Sequence, residues 1–252
     1  MTRKITVNPM FEGIREFVES IPGIFETRGE TIYDKRNRIK VMTAPDGTKV
    51  NVKRYQVPRG INRYVYSLGI RKPKGERAYL YPQRLLAEGI DTPEPIAYIE
   101  ERRGGILGHC YFISVQSPYG HTMYELGNAR EGEYEEIARA FARFTARMHD
   151  SRVLHLDYSP GNILFDRQQD GTYRFSLVDT NRMYFGPVDM KKGLAAFRRI
   201  WGPKRFFVMV VREYAKARGF DSDQAEAYAL RERARFWTHY QRKHSVEFKL
   251  DL

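Results

Sequence analysis

Apolar positions along this chain fall into two regimes. Up to about residue 115 they mostly alternate with polar ones, the period of half-buried strands; beyond it they recur every three or four residues, the period of amphipathic helices. Phe11, Ile14, Phe17, Val18 and Ile21 are spaced as a short helix closed by Pro22-Gly23. Residues 31–33, 39–42 and 50–55 read as three antiparallel strands, joined by the polar turn 34–38 and the turn signal Pro45-Asp46-Gly47-Thr48. Residues 76–86 read as a helix that Pro82 either kinks or, with a start near Tyr81, opens; Gly89 ends it. Residues 96–99 and 111–115 pair around Gly104-Gly105, and Gln116-Ser117-Pro118 breaks the pattern. Residues 133–149 form the clearest helix, with Ile137, Phe141, Phe144, Thr145 and Met148 along one face. Residues 162–165 and 173–178 read as a hairpin, followed by helices over 191–201, 206–218 and 223–244. The order is five strands with one helix, then helices with an embedded hairpin. It predicts a two-lobed α+β fold, with an N-lobe over 1–117, a C-lobe over 118–252 and a cleft between them.

One segment carries chemistry. His155-x-Asp157-x-x-x-x-Asn162 lies in a loop punctuated by Pro160-Gly161, and the second hairpin strand ends on Asp179. This spacing is the catalytic core of the protein-kinase fold. Asp157, with His155 beside it, would orient an acceptor hydroxyl; Asn162 and Asp179 offer the hard oxygens that magnesium prefers. The competing reading is that Asp157 and Asn162 only satisfy loop backbone and His155 is a packed core histidine.

Phosphoryl transfer from ATP also needs a lysine on a small-lobe strand. Lys53 is the candidate: alternation puts Val50 and Val52 on one face and Asn51, Lys53 and Tyr55 on the other. Lys40 and Lys49 are its rivals. Glu76 is the expected helical partner of that lysine, ahead of Glu88. No Gly-x-Gly-x-x-Gly loop is present. Lys35, Arg36 and Arg38 of the basic turn could reach phosphates by side chain, or form a solvated hairpin tip. Adenine would meet backbone groups at Gln116-Ser117-Pro118.

The formal net charge of +12 favours anionic partners: nucleotides, nucleic acid or anionic lipid. No zinc spacing, recognition-helix pattern or aromatic RNA motif supports nucleic acid. The lone Cys110 excludes an internal disulfide and sits in an apolar run, as a buried and inert thiol would. No apolar stretch follows Arg3-Lys4 as in a signal peptide, and no window approaches a membrane span. A reducing, cytoplasmic setting is expected. Lys191, Lys192, Arg198, Arg199, Trp201, Lys204, Arg205, Phe206 and Phe207 mix basic and aromatic groups. They read either as a face for peripheral contact with an anionic membrane or as a solvated basic side over aromatic core residues.

On these residues the chain resembles the lipopolysaccharide core kinase family, the Kdo and heptose kinases of Gram-negative bacteria. The resemblance lies in Tyr33-Asp34-Lys35-Arg36-Asn37-Arg38-Ile39-Lys40, Asn51-Val52-Lys53-Arg54-Tyr55, Gly89-Ile90-Asp91-Thr92-Pro93-Glu94-Pro95-Ile96-Ala97-Tyr98, residues 155–165 and Asp179-Thr180-Asn181-Arg182-Met183. It implies a protein-kinase-like fold and ATP-dependent phosphorylation of a sugar hydroxyl on lipid A–core, at the inner face of the inner membrane. It also implies that Asp157 is the acceptor-side carboxylate, that Asn162 and Asp179 bind Mg2+, and that Lys53 contacts ATP. The chain departs from kinase patterns in four places. Leu80 stands where the helical acid is expected, Asp-Thr-Asn replaces Asp-Phe-Gly, no Ala-Pro-Glu follows, and Leu156 replaces the Arg of regulated protein kinases. A small-molecule kinase of the aminoglycoside or choline type, a protein kinase, and a non-catalytic pseudokinase are the rival readings. Cationic acceptors suit an acidic site rather than this basic chain, and the joint presence of Asp157, Asn162, Asp179 and Lys53 speaks against a pseudokinase.

Overall fold

A computed structural model describes residues 1–252. Met1–Pro118 with Asp179–Asn181 forms one compact unit, and Tyr119–Val178 with Arg182–Leu252 forms the other. The expected boundary after residue 117 lies beside this division. Asp179–Asn181, however, packs with the first unit.

The first unit contains β1 (Thr2–Val7), a 3-10 segment (Pro9–Ile14), α1 (Arg15–Ile24), β2 (Glu30–Asp34), β3 (Arg38–Thr43), β4 (Lys49–Tyr55), α2 (Ile61–Ser67), α3 (Lys74–Ala87), β5 (Pro95–Arg103) and β6 (Ile106–Val115). The strands form one antiparallel sheet in the order β1-β5-β6-β4-β3-β2. Gly104 and Gly105 both have positive φ, which lets the β5–β6 hairpin turn sharply. One sheet face, with Val50, Val52, Ile96 and Ile113, packs against Val18, Ile21 and Phe25 around α1. The other, with Tyr55, Tyr98 and Cys110, packs against Ala78 and Tyr79 of α3. Each buried aliphatic side chain contributes about 1.5–3 kcal/mol. Burial holds the Cys110 thiol protonated, pushed up to about 12.

Three expectations are corrected here. Strand β1 and helix α2 were not legible; β1 reads as mostly polar and gains its order by pairing with β5. Pro22 does not close α1, which runs on to Ile24. Pro82 does not start α3, which begins at Lys74 and continues through Pro82 to Ala87. A proline removes one helical hydrogen bond, a loss offset by burying Ile21 in α1 and Tyr79 and Leu85 in α3.

The second unit contains β7 (His121–Thr122), a 3-10 segment (Met123–Asn128), α4 (Glu135–Asp150), β8 (Val153–His155), β9 (Ile163–Arg167), β10 (Tyr173–Leu177), β11 (Met183–Phe185), α5 (Met190–Ala196), α6 (Lys204–Ala217) and α7 (Ser222–Gln241). The strands form two small sheets, β10-β9-β7 and β11-β8. The helix expected over 191–201 is α5 followed by the 3-10 turn Phe197–Arg199. Arg233 of α7 is fully buried without a carboxylate; it donates to Ile200 O at 2.8 Å and Gly202 O at 2.7 Å. It thereby fixes the loop between that turn and α6.

His149 of α4 is buried against Tyr214, whose hydroxyl lies 2.8 Å from His149 Nδ1 and accepts from Arg218. Gly193 passes so close to Tyr214 that a Cβ there would collide with its hydroxyl. Burial, followed by the nearby Arg218, lowers the His149 pKa from 6.5 to about 3. Between these values the unfolded chain binds a proton that the folded chain refuses, so stability is lost as pH falls from 6.5 toward 3. Urea denaturation at pH 7 and pH 5 should show a loss on the order of 1–2 kcal/mol at this site for wild type. That loss should be missing from His149→Gln; equal pH slopes in the two proteins would refute it.

Candidate active site

The loop after β8 is tied down at every candidate position. His155 is buried; its Nδ1 accepts from Asp157 N at 3.1 Å, and its Nε2 lies 3.2 Å from Val178 O. Because Nδ1 is an acceptor, the proton sits on Nε2 and points at the Val178 carbonyl. His155 therefore positions the loop, and its ring nitrogens are both engaged within the chain. Asn162 Nδ2 donates to Asp157 O at 2.8 Å, and Val178 N donates to Asn162 O at 3.0 Å. Tyr158 is buried on Phe141 of α4, with its hydroxyl 2.9 Å from Thr145 Oγ1. The Asp157 carboxylate is only partly exposed and meets two arginines: Arg182 Nη1 at 3.2 Å from Oδ2, and Arg199 Nη1 on Oδ1.

In the first unit, Lys53 leaves β4 on the face opposite Val50 and Val52. Its Nζ donates to Asp179 Oδ1 at 2.6 Å and stands 5.3 Å from the Tyr55 ring centre. Asp179 has φ 53°, a left-handed conformation that few residues with a Cβ adopt and that Asp tolerates better than most. Backbone strain of this kind concentrates at functional sites. Asn181 Nδ2 also donates to Asp179 Oδ1. The rival lysines are engaged elsewhere. Lys40 is buried and donates to Phe25 O, Glu26 O and Arg28 O at 2.9, 3.2 and 2.9 Å, so it caps the end of α1. Lys49 donates to Thr43 Oγ1.

The expected Lys53–Glu76 pair is not formed. Glu76 lies 3.4 Å from Nζ of Lys72, which precedes α3, and Lys53 takes its carboxylate from Asp179 instead. The neighbouring Arg77 is the charged residue that α3 buries. In the basic turn, Arg38 is held by Glu26 and Asp34 at 2.7 and 3.0 Å. Lys35 and Arg36 line a groove of about 570 Å³ together with Arg59, Arg63 and His109. Gln116 N donates to Lys49 O, and its side chain accepts from Asn51 Nδ2 at 2.8 Å. Its own N–H is thus not open to adenine, and any contact there falls to its carbonyl or to the residues after it.

Sequence reasoning missed Arg199 and Arg182 as neighbours of Asp157. Arg182 stood inside the Asp-Thr-Asn-Arg-Met stretch and Arg199 inside the basic–aromatic one, but nothing local signals that they converge. The residues present fit magnesium. No cluster of three or more His, Cys, Asp or Glu side chains could hold a metal by itself. Mg2+ does not require one: it keeps waters and binds through one or two carboxylates plus phosphate oxygens. Within the first unit Asp179 has a carboxylate and Asn181 Oδ1 is buried with no partner, oxygens of the kind such an ion takes.

The lipopolysaccharide kinase (Kdo/WaaP) family model matches residues 27–185, more than half of the chain. No curated protein matches it. Among solved structures, WaaP in complex with acyl carrier protein is similar over 93% of this chain and 99% of that one, with a TM-score of 0.58 and 17% identity. The amicoumacin kinase hAmiN in complex with AMP-PNP, Ca2+ and Ami is similar over 88% of this chain and 86% of its own, with a TM-score of 0.53 and 11% identity. The Rio2 kinase-ADP/Mg2+-phosphoaspartate complex from Chaetomium thermophilum matches 92% of this chain and 73% of its own, at 0.51 and 13%. At these identities the likeness concerns the fold, which is protein-kinase-like: an antiparallel-sheet N-lobe and a mainly helical C-lobe.

The two buried lysines should differ in what they hold. Lys40→Met leaves three carbonyls at the end of α1 without their donor and should cost about 2–3 kcal/mol. Lys53→Met should cost under about 1 kcal/mol, because Asp179 is a third exposed and water can replace the lysine. Chemical denaturation of both variants checks this; equal losses would contradict it.

Proposed function

Because the chain belongs to the lipopolysaccharide kinase (Kdo/WaaP) family, and is a phosphotransferase of protein-kinase-like fold, we propose that it moves the γ-phosphoryl group of ATP to a sugar hydroxyl of lipid A–core. What supports this reading is, in the second unit, the braced Asp157–Asn162 loop and, in the first, Asp179 in a left-handed conformation bonded to a strand lysine. Asp157 would accept a hydrogen bond from the acceptor hydroxyl and take its proton late. Lys53 would neutralise α- and β-phosphate oxygens. Lys35 and Arg36 would reach the nucleotide phosphates from the basic turn where other kinases use glycine amides. Asn162 and Asp179 would hold Mg2+, which when bound supplies charge neutralisation for the phosphates. The Rio2 and hAmiN complexes likewise hold a nucleotide and a divalent cation: ADP with Mg2+, and AMP-PNP with Ca2+.

The acceptor reading draws on the family and on the charge of +12. No helix is long and apolar enough to cross a membrane. Phe206 and Phe207 are buried, so those aromatics of the basic stretch belong to the core, while Lys191 and Arg205 are exposed. Contact with the inner face of the inner membrane would accordingly be peripheral and electrostatic, weakened by salt.

Incubation with labelled Mg-ATP and extracted lipid A–core should place label in the lipid fraction. Asp157→Ala should lower the rate about 10²- to 10⁴-fold. Equal rates in the two proteins would remove the catalytic assignment. Lys53→Met should weaken ATP binding about tenfold or more with the fold intact, by isothermal titration. Unchanged nucleotide affinity would take Lys53 out of the site.

A further inference from the structure

We propose that Arg182 and Arg199 form an anion subsite for a carboxylate or phosphate carried by the acceptor sugar, next to the hydroxyl that Asp157 orients. The proposal rests on the kinase reading above and specifies what the acceptor must carry. Two guanidinium groups face a single carboxylate, one on each oxygen. The cluster therefore holds two positive charges against one negative. Each guanidinium has five N–H donors, and one hydrogen bond from each is accounted for by Asp157. Arg199 Nε is buried with no partner, an omission that costs about 1–3 kcal/mol. A single arginine would suffice to anchor Asp157; the second leaves a surplus charge and open donors at the acceptor side.

That surplus is held in place. The Arg199 guanidinium lies 5.3 Å from the Phe236 ring centre, and the next residue, Ile200, has its carbonyl fixed by buried Arg233. Phe236 also lines a groove of about 690 Å³ whose walls include Arg198, Arg235, His239 and Arg242 against one acid, Glu232. A planar fork of donors matches carboxylate and phosphate geometry. A cationic acceptor would meet net repulsion here. Asp157 keeps its role, since a carboxylate offers about four lone-pair sites and the arginines occupy two of them.

The test is calorimetric titration of the full chain with core oligosaccharide in three forms: native, methyl-esterified at its carboxyl groups, and dephosphorylated. Wild type should bind the native form roughly 10- to 100-fold more tightly than the form lacking the recognised anion. Loss in the esterified arm identifies a carboxylate; loss in the dephosphorylated arm identifies a phosphate. Arg199→Gln and Arg182→Gln should shrink the difference to within about threefold, and Arg199→Lys should keep part of it. Circular dichroism verifies folding, and the lysine variant serves if a glutamine variant fails to fold. A wild type that binds all three forms alike, or none, overturns the subsite, as do glutamine variants with undiminished discrimination. Discrimination in binding without any phosphoryl transfer overturns the kinase reading and leaves the subsite standing.

Discussion

Both backbone groups of Val178 are bonded into the loop that carries Asp157: its N–H donates to Asn162 O, and its carbonyl receives His155 Nε2. The same histidine accepts the N–H of Asp157, and the same asparagine donates to the Asp157 carbonyl. Four hydrogen bonds thus lock Asp157, Asn162 and the end of the hairpin into one frame. Asp179 is the next residue along the chain. Rigidity here has a chemical purpose, since phosphoryl transfer asks a protein mainly for placement and charge.

Much of this was legible in the sequence because it is local. Alternation in β4 placed Lys53 opposite Val50 and Val52, and the structure keeps that assignment. The hairpin after Asn162 pairs Phe165 with Phe175. What could not be read depends on partners distant in sequence. Strand β1 pairs with β5 across most of the first unit. The fate of Glu76 turned on Asp179 taking the lysine first. Pro22 and Pro82 sit inside helices because neighbouring side chains are buried, a tertiary effect that overrides local propensity. The two arginines on Asp157 come from positions that share no periodicity with it.

Charge in this chain is organised rather than spread. Lys40 holds a helix end, Arg233 holds a loop, and Arg38 closes its own turn on Glu26 and Asp34. These cations serve structure. Elsewhere cations outnumber acids: the groove of the basic turn sets Lys35, Arg36, Arg59 and Arg63 against Asp34, and Arg182 and Arg199 share the one carboxylate of Asp157.

The family model matches residues 27–185, which include Asp157 and Arg182, whereas Arg199, Phe236 and the helix that carries Arg233 lie beyond it. The two guanidinium groups on Asp157 therefore come one from inside the shared stretch and one from outside it. A relative that differed only after residue 185 would keep Arg182 beside this carboxylate and change its second neighbour.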